Sequence, residues 1–258
     1  MLTYISEVKK MENSRNIANK GLYWNKLVYK DKQSLVLSSS ENKARLVSDI
    51  LYILQKQQNE KEVIEQLKQR RNEVSSKFSK VLDKVYTIQT KLLVGSGLPS
   101  PIEVGMTFSR NYGIPIIPST SIKGTFANYV QSEKIFDEET YKRLFGTDLT
   151  TKGENIRGTL IFLDAIPDTA VKYTVDIVNN HFQPYYMETD NPPNDWYNPV
   201  PVQFIAVENT SYRFTILIEN DSKLTKEEKE KIKLEFGKML KLYGIGAKTN
   251  YGYGRFKD

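Results

Sequence analysis

The hydrophobic positions of the chain change their spacing several times, and each spacing predicts a different kind of element. Between residues 41 and 84, apolar residues recur every three or four positions, which predicts helices with one apolar face. The polar segment 55–60 interrupts this pattern and predicts two helices rather than one. The predicted apolar stripe of the second helix consists of Val63, Leu67, Val74, Phe78 and Val81.

Alternating and continuous apolar runs predict strands elsewhere. In residues 211–219 the apolar side chains of Tyr212, Phe214, Ile216 and Ile218 stand at every second position, which predicts a strand with these residues on one buried face. The apolar run 202–207 is predicted to be the strand that pairs with it. Further strands are predicted at 27–29, 85–94, 158–164 and 251–256.

Two helices are predicted among these strands. One covers residues 121–130, and the other begins where Thr225 and Glu228 have the spacing of a capping box. Gly244 is predicted to end the second helix in the left-handed conformation. Its predicted core stripe is Ile232, Phe236, Met239, Leu240 and Tyr243.

From residue 85 onward the elements follow the order β-α-β, β-α-β. This order predicts an α+β domain of the ferredoxin-like class, a split βαβ or RRM-like sheet with two helices on one face. We expect residues 1–84 to form an N-terminal segment with a helical region packed on a domain that spans 85–258.

A long insertion, residues 165–201, separates the two halves of the predicted domain and is rich in proline and aromatic residues. Between residues 168 and 208 the chain carries six carboxylates against the single cation of Lys172. Long excursions of this kind are usually functional in compact domains. The acidity disfavours a nucleic-acid groove, so we predict a hairpin that docks on a protein neighbour or wedges beside a duplex.

Charge and composition narrow the function classes. The formal net charge of +6 favours a polyanionic partner, although the excess is modest and spread along the chain. There is no cysteine, which excludes disulfides and thiolate metal sites. The first twenty residues lack the apolar segment of a signal peptide, and no run reaches membrane-spanning length. We therefore expect a cytoplasmic protein with no membrane partner.

The strongest candidate for chemistry is the glycine-rich segment 244–256, which holds four of the fourteen glycines. Accessible amides, cations and aromatic rings together suit an RNA strand. A tightly packed terminal strand with core tyrosines is an equally good interpretation of the local pattern. The predicted RNA-binding residues are Gly246, Lys248, Thr249, Asn250, Tyr251, Gly252, Tyr253 and Arg255.

A nucleotide-hydrolysing P-loop is disfavoured for the same segment. Leu242 and Ala247 stand where such a loop needs glycine. The predicted helix also precedes the loop and the strand follows it, which reverses the order of a P-loop.

A second RNA-binding candidate is the segment 117–124, where hydroxyl side chains precede a predicted helix. The N-terminus of a helix attracts phosphate, and a lysine adds charge. Simple helix capping, with the lysine in solvent, explains the pattern without RNA. The predicted RNA-binding residues here are Ser121, Lys123 and Gly124.

The basic residues of the second predicted helix and the single histidine are explained without a functional role. The basic residues Lys68, Arg70, Arg71 and Lys77 are interpreted as a solvated helical face. RNA cleavage without metal normally uses histidine as general acid or base, and the single histidine, His181, stands in the acidic insertion. A structural role is the commoner one for such a residue.

Three aspartates are oxygen ligands of the kind that divalent cations prefer: Asp164, Asp168 and Asp176. Turn initiation is a sufficient explanation of Asp164. The sequence supplies no convincing catalytic set, so we expect no catalytic residue, no metal site and no cofactor.

Four blocks of the chain, residues 94–105, 114–124, 158–167 and 244–254, follow one another in a characteristic order, with Phe145-Gly146 and a weaker block at 185–204. Together they resemble the RAMP superfamily of CRISPR proteins, and within it the sixth-subunit family of the Cmr (type III-B) effector complex. The likeness runs from about residue 85 to the end, and the helical region before it is uninformative. Two departures are Ser119-Thr120, where Gly-Ser is usual, and Ala247 in place of a glycine.

The resemblance implies a non-catalytic subunit at one end of an RNA-guided complex. Such a subunit helps to hold the guide RNA near its 3′ end together with its target RNA, and contacts neighbouring RAMP subunits. Two alternatives stay open from the residues: a metal-independent CRISPR repeat-processing endoribonuclease that uses His181 with a Lys or Tyr, and an interaction module whose glycine-rich segment only packs.

Overall fold

A computed structural model describes residues 19–28, 40–56, 60–147, 155–187, 191–194 and 196–258. The fold is α+β, as the sequence predicts, and the strands form two separate antiparallel sheets. The helices are α1 (Ser40–Gln55), α2 (Glu60–Ser75), α3 (Ser119–Ser132), α4 (Glu138–Phe145) and α5 (Lys226–Leu242), with short helical turns at Lys20–Leu22, Tyr23–Leu27, Gln183–Met187, Asp221–Lys223 and Thr249–Tyr251. The strands are β1 (Ser79–Ile88), β2 (Leu160–Phe162), β3 (Ile166–Pro167), β4 (Lys172–Asn180), β5 (Val200–Glu208), β6 (Ser211–Ile218) and β7 (Phe256–Lys257).

Strand β6 lies at the centre of the larger sheet. β1 pairs with one edge of β6, while β2 and β3 share the other edge, and β7 pairs with the far side of β1. The predicted alternation of β6 is only partly observed, because Thr215 and Leu217 are buried together with the apolar face. A central strand flanked on both edges is shielded from water more completely than an edge strand.

Aromatic rings join α3 and α5 to one another and to the sheet. The ring of Phe126 in α3 lies 5.2 Å from that of Phe236 in α5, edge to face, and Phe236 lies 5.5 Å from Phe214 in β6. Edge-to-face pairs of this kind add stability beyond the area they bury. The main core therefore lies between these two helices and the sheet.

Several predicted helices are confirmed. α1 ends at Gln55 and α2 begins at Glu60, α3 covers the predicted 121–130, and the capping box of Thr225 and Glu228 is present in α5. Gly244 follows α5 with φ +74°, as predicted. Tyr243 is the exception in the predicted stripe, because it is 43% exposed while the other four members are buried.

The predicted partner of β6 is wrong. β5, which contains residues 202–207, pairs with β4 along its whole length, from Lys172↔Glu208 to Asn180↔Val200. Both edges of β6 are occupied by β1 and by β2 with β3, so no edge is left for β5. The second sheet is consequently a separate two-stranded hairpin, and α1 packs against both of its strands.

Three other predicted elements need correction. Residues 23–28 are helical rather than extended, with Trp24 fully buried 5.7 Å from the ring of Phe108; Tyr29 lies outside the described residues. α2 ends at Ser75, so Phe78 and Val81 belong to the turn and to β1, which starts six residues before the predicted 85. In α2 itself Val74 is 50% exposed and Ile64 is the buried apolar residue.

The predicted final strand 251–256 shrinks to Phe256–Lys257. Residues Thr249–Tyr251 form a 3₁₀ turn, and Gly252 and Gly254 have positive φ, which an extended strand does not tolerate. No helix within the described ranges is long and apolar enough to cross a membrane.

Candidate nucleic-acid interface

The glycine-rich loop, residues 244–255, is anchored to the segment that follows β1. The Ala247 N–H donates to the Leu93 carbonyl at 2.7 Å, and the Gly254 N–H donates to the Lys91 carbonyl at 2.8 Å. Across the base of the loop the Ile245 N–H donates to the Gly254 carbonyl at 2.9 Å. These bonds hold both ends of the loop against the segment that follows β1.

The glycines of this loop serve two purposes. A Cβ on Gly254 would lie 1.9 Å from the Ile245 carbonyl oxygen, and one on Gly246 would lie 2.4 Å from the Leu93 carbonyl oxygen. These two glycines are therefore required by backbone packing. Gly252 also has positive φ, +87°, but no atom lies within 4 Å of the position that a Cβ would occupy there. At Gly252 the main chain is open to another molecule.

The tip of the loop presents a cation and an aromatic ring side by side. Lys248 has the left-handed conformation, with φ 60°, and precedes the 3₁₀ turn. Its ammonium lies 5.7 Å from the ring centroid of Tyr251, which is 83% exposed. Asn250 is exposed between them. An exposed ring beside a cation and an open backbone suits a nucleotide, whose base stacks while its phosphate meets the charge.

Tyr253 points away from this tip and into the protein. Its ring lies 6.1 Å from that of Phe204 in β5, and its hydroxyl donates to Asp176 Oδ2 in β4 at 2.5 Å. Burial, reinforced by this hydrogen bond, raises the pKa of Tyr253 to about 12. Lys91 Nζ lies 2.8 Å from the same carboxylate oxygen. Tyr253 thus fastens the glycine-rich loop to the β4–β5 hairpin.

Arg255 also supports the loop from within. Its Nη2 donates to the Thr249 carbonyl at 3.3 Å, and its backbone N–H donates to Thr90 Oγ1 at 3.0 Å. Its Nη1 is buried with no hydrogen-bond partner among the described residues. The guanidinium therefore braces the 3₁₀ turn that carries the exposed tip.

The second predicted segment, residues 117–124, contains the N-terminus of α3, where a carboxylate already accepts a backbone N–H. The backbone N–H of Ser119, the first residue of α3, donates to Asp164 Oδ1 at 2.7 Å, and the N-cap Pro118 makes no side-chain bond. The predicted capping by hydroxyl side chains is wrong, because a carboxylate from the β2–β3 connection performs it. Ser121 and Lys123 are half-buried, and Gly124 is exposed with no atom near its Cβ position.

The two predicted segments border opposite edges of the larger sheet. Ile117, just before α3, pairs with Ala165 beside β2 and β3, whereas the glycine-rich loop leads into β7. Backbone contacts connect them in steps, from residue 247 to 93, from 94 to 107 and from 107 to 116. The two segments are separate surfaces rather than one cluster.

The candidate catalytic and metal ligands are dispersed. Asp164 caps α3, Asp168 bonds Arg213 in β6, and Asp176 bonds Tyr253 and Lys91. No group of three potential metal ligands occurs in the part of the chain that the structure describes. His181 is exposed just after β4.

Two of the four basic residues around α2 are not on a solvated face. The Lys68 side chain is 19% exposed, with Nζ 2.9 Å from Glu65 and 3.4 Å from Asp168. Arg71 is half-buried, while Arg70 and Lys77 are exposed as predicted. Asp168 lies a hundred residues from Lys68 along the chain, so no local pattern indicates this pairing.

The sequence pattern of the RAMP superfamily matches residues 85–257, which carry both predicted segments and every strand after β1. The chain belongs to the RAMP superfamily. α1 and α2 lie outside the matched region, and β1 extends into it from Ser79.

Two curated relatives of this RAMP protein are Cmr6 subunits of CRISPR systems. The Cmr6 of Pyrococcus furiosus is 30% identical over an alignment 230 residues long, gaps included, and the match covers 67% of this chain and 66% of that protein. The Cmr6 of Saccharolobus solfataricus is 23% identical over 182 residues, covering 69% of this chain and 57% of that protein. The matched part thus spans less than two thirds of each relative.

The fold of this RAMP protein also occurs in a solved assembly. A chain of the type III-B Cmr-beta complex bound to cognate target RNA aligns with a TM-score of 0.62 at 18% identity. The alignment covers 88% of this chain and 78% of that chain. At this identity the likeness establishes a shared fold.

Proposed function

We propose that this RAMP protein is a non-catalytic, RNA-binding structural subunit of a type III-B CRISPR effector complex. It helps to hold the guide RNA, on its 3′ end side, and the duplex with the target RNA in antiviral defence. Its partners are these RNAs and neighbouring RAMP subunits, and its compartment is the cytoplasm. The observation that carries the proposal is the exposed tip of the glycine-rich loop, within a chain similar to Cmr6 proteins over most of its length.

The residues of the loop take different roles in this proposal. Lys248 meets a phosphate, Tyr251 stacks on a base, and the main chain around Gly252 allows close approach of the RNA backbone. Tyr253 and Arg255 keep the tip in shape through their bonds to the hairpin and to the 3₁₀ turn. Gly246, Thr249 and Asn250 are the other residues of the loop that we propose to contact the RNA.

A second contact surface is proposed at the start of α3, formed by Ser121, Lys123 and Gly124. Because it borders the edge of the larger sheet opposite to the one that the glycine-rich loop leads into, it meets other nucleotides of the same strand. Gly124 supports this role, since no atom of the described chain approaches its Cβ position.

We further propose that the larger sheet is the ferredoxin-like, split βαβ arrangement. The order β7-β1-β6, with β2 and β3 on the outer edge, supports this assignment, and so do α3 after β1 and α5 after β6. In this arrangement the β4–β5 hairpin is the predicted insertion. The insertion then ends with β5, at Glu208, and not at residue 201. The domain spans 85–258 and takes its first strand residues from the preceding segment 1–84.

RNA binding is tested with Lys248→Glu, measured by fluorescence anisotropy with a fluorescein-labelled 20-nucleotide single-stranded RNA at low salt. Reversing the charge removes a phosphate contact and adds repulsion, so we expect a loss of about tenfold or more in affinity. Tyr251→Leu is expected to lose roughly tenfold through the missing stacking.

The matched control is Lys226→Glu, the same charge change at the exposed start of α5, a helix about 25 Å long that separates it from the loop. Its effect should stay within about twofold. Equal losses in Lys248→Glu and Lys226→Glu would show that only net charge matters, and the proposed contact would then be wrong.

The absence of catalysis is tested by incubation with a labelled CRISPR repeat RNA, in EDTA and in Mg²⁺. We expect intact RNA in both. Site-specific cleavage that His181→Ala abolishes would replace the proposed structural role with that of a repeat-processing endoribonuclease.

A further inference from the structure

A groove of about 500 Å³ lies between α2 and the edge of the larger sheet opposite β7. Leu67 and Val74 of α2 form one apolar wall, and Leu163 contributes to the other. Arg70, Arg71 and Tyr112 are among its polar lining residues. Apolar walls with a few converging polar groups, at this volume, are typical of sites for small organic ligands.

Arg71 has an unexplained donor in this lining. Its Nη1 is buried and has no hydrogen-bond partner among the described residues. Asp164 and Asp83 attract the guanidinium, and Arg213 repels it, without any of them accepting a hydrogen bond from Nη1. A buried guanidinium N–H without an acceptor is costly, so rotation of the Arg71 side chain toward an acceptor bound in the groove is favourable.

Arg70 and Tyr112 add a second cation and an aromatic ring. Arg70 Nη1 donates to the Tyr112 hydroxyl at 3.0 Å, which holds the ring beside the Arg70 guanidinium. Arg70 keeps further N–H groups for other acceptors, because a guanidinium carries five. Guanidiniums bind phosphate oxygens in two-pronged geometry, and an adjacent ring offers a surface on which a base stacks.

The charge of the groove suits an anion. Its lining contains the two guanidiniums and one carboxylate, that of Asp164, which already accepts the N–H of Ser119. The N-terminus of α3 therefore has its acceptor, and the attraction for an anion comes from the arginines.

We propose that this groove binds a single unstacked nucleotide, with its phosphate on Arg70 and Arg71 and its base on Tyr112 between the apolar walls. If the nucleotide belongs to an RNA strand, this proposal rests on the proposed RNA-binding function. The groove is then an additional site, at the sheet edge opposite to the glycine-rich loop. Arg70 and Arg71 lie on α2, which precedes the region that matches the RAMP superfamily.

The test uses the full chain with two probes, fluorescein-labelled pentauridylate and UMP. Arg70→Gln and Tyr112→Leu should each weaken binding of the pentauridylate by about tenfold, through the lost phosphate contact and the lost stacking. Arg157→Gln removes a charge from an exposed arginine outside the groove, so it should stay within about twofold. Tyr112→Phe keeps the ring but loses the hydroxyl that accepts from Arg70, so its loss should be smaller than that of Tyr112→Leu.

Val74→Trp tests the groove without removing charge. Val74 is half exposed on α2, so the larger side chain is accommodated at the surface while it fills the groove. We expect an unchanged melting temperature and a loss of pentauridylate binding similar to that of Arg70→Gln. Normal binding by this variant would overturn the proposal.

The results of these measurements distinguish failure of the groove proposal from failure of the proposed RNA-binding function. Wild-type binding of UMP, competed by inorganic phosphate, identifies a free mononucleotide as a ligand; binding of pentauridylate alone identifies a nucleotide within a strand. If the groove variants bind both probes as the wild type does while Lys248→Glu loses RNA, the groove proposal fails and the proposed function stands. If the wild type binds UMP but no RNA, the groove stands and the RNA-binding function fails; binding of neither probe overturns the groove.

Discussion

Single residues in this chain show why glycine content alone does not identify a ligand site. Gly254 and Gly246 are needed because the backbone of the protein itself passes within about 2.5 Å of where their Cβ would be. Gly252 and Gly124 have open space at that position. The second pair therefore marks where another molecule has room to approach.

This difference predicts opposite effects on stability. Gly254→Ala places a Cβ against the Ile245 carbonyl at φ +70°, so we expect a loss of at least about 2 kcal/mol in the free energy of unfolding. Gly124→Ala lies inside α3 with open space and should gain roughly 0.5–1 kcal/mol.

Urea unfolding of both variants measures these changes, and RNA affinity is a second readout for Gly124→Ala. Weaker RNA binding by this more stable variant would support close approach of RNA at Gly124. A destabilised Gly124→Ala would contradict the open surface that the structure shows there.

At the scale of elements, α5 has both of its ends specified locally. The Glu228 N–H donates to Thr225 Oγ1 at 3.1 Å, and the Thr225 N–H donates to Glu228 Oε2 at 2.7 Å. Glu228 also pairs with Arg143 of α4, so the cap joins two helices. The glycine-rich loop leaves the other end of α5, which means that the stability of this helix supports the loop.

The cap yields a prediction for α5. Thr225→Ala leaves the Glu228 N–H without its acceptor, and we expect a loss of about 1 kcal/mol in the free energy of unfolding. Thr225→Ser keeps the hydroxyl and should differ from the wild type by only a few tenths of a kcal/mol. Chemical denaturation compares the three proteins. Equal losses for Ala and Ser would show that the methyl group of Thr225, not its hydroxyl, is important.

At the scale of the whole molecule, one charged network joins the RAMP region to the helix before it. Asp83 Oδ1 in β1 lies 3.3 Å from Arg213 Nη1 in β6, and Arg213 Nε lies 3.1 Å from Asp168 Oδ1. Lys68 of α2 donates to the Asp168 carbonyl at 3.0 Å. The network connects elements that are far apart in the sequence and positions α2 beside the sheet, where it forms a wall of the groove.

This network predicts how stability depends on pH. Burial alone would raise the pKa of Asp83, but Lys80 and Arg213 outweigh it and hold that pKa below its ordinary value. The stabilisation is therefore complete above the unfolded-state pKa of about 3.9, and is lost as the pH falls through the lower folded-state value.

Asp83→Asn should accordingly lower the free energy of unfolding by about 1–3 kcal/mol at pH 7. The difference from the wild type should shrink below about pH 4. Asp258→Asn is the control, because this carboxylate is 75% exposed in its pair with Lys84 and should have little effect. If the difference in the free energy of unfolding between Asp83→Asn and the wild type were the same at pH 7 and in acid, the charge of Asp83 would not be what stabilises the fold.

Elements that depend on residues close together in the sequence are predicted correctly, whereas elements that depend on distant residues are not. α5 and its cap, and the break between α1 and α2, depend on residues within a few positions of each other, and they were predicted correctly. β5 was assigned the wrong partner because pairing depends on which edges of β6 are free, and β2 with β3 take the edge that β5 would need. The end of α2 at Ser75 was missed because Phe78 and Val81 continue the apolar spacing into β1.

The sequence by itself determined the α+β class, the RAMP family and the segments worth testing, because periodicity, caps and ordered motif blocks are written in local residue order. Only the tertiary structure decided that Tyr251 is exposed while Tyr253 is packed against Phe204. It also decided that Asp164 caps α3 and that Arg71 lines a groove with an unpaired donor. The physical reason is that burial and hydrogen bonding depend on partners brought together from distant parts of the chain, for which neighbouring residues carry no signal.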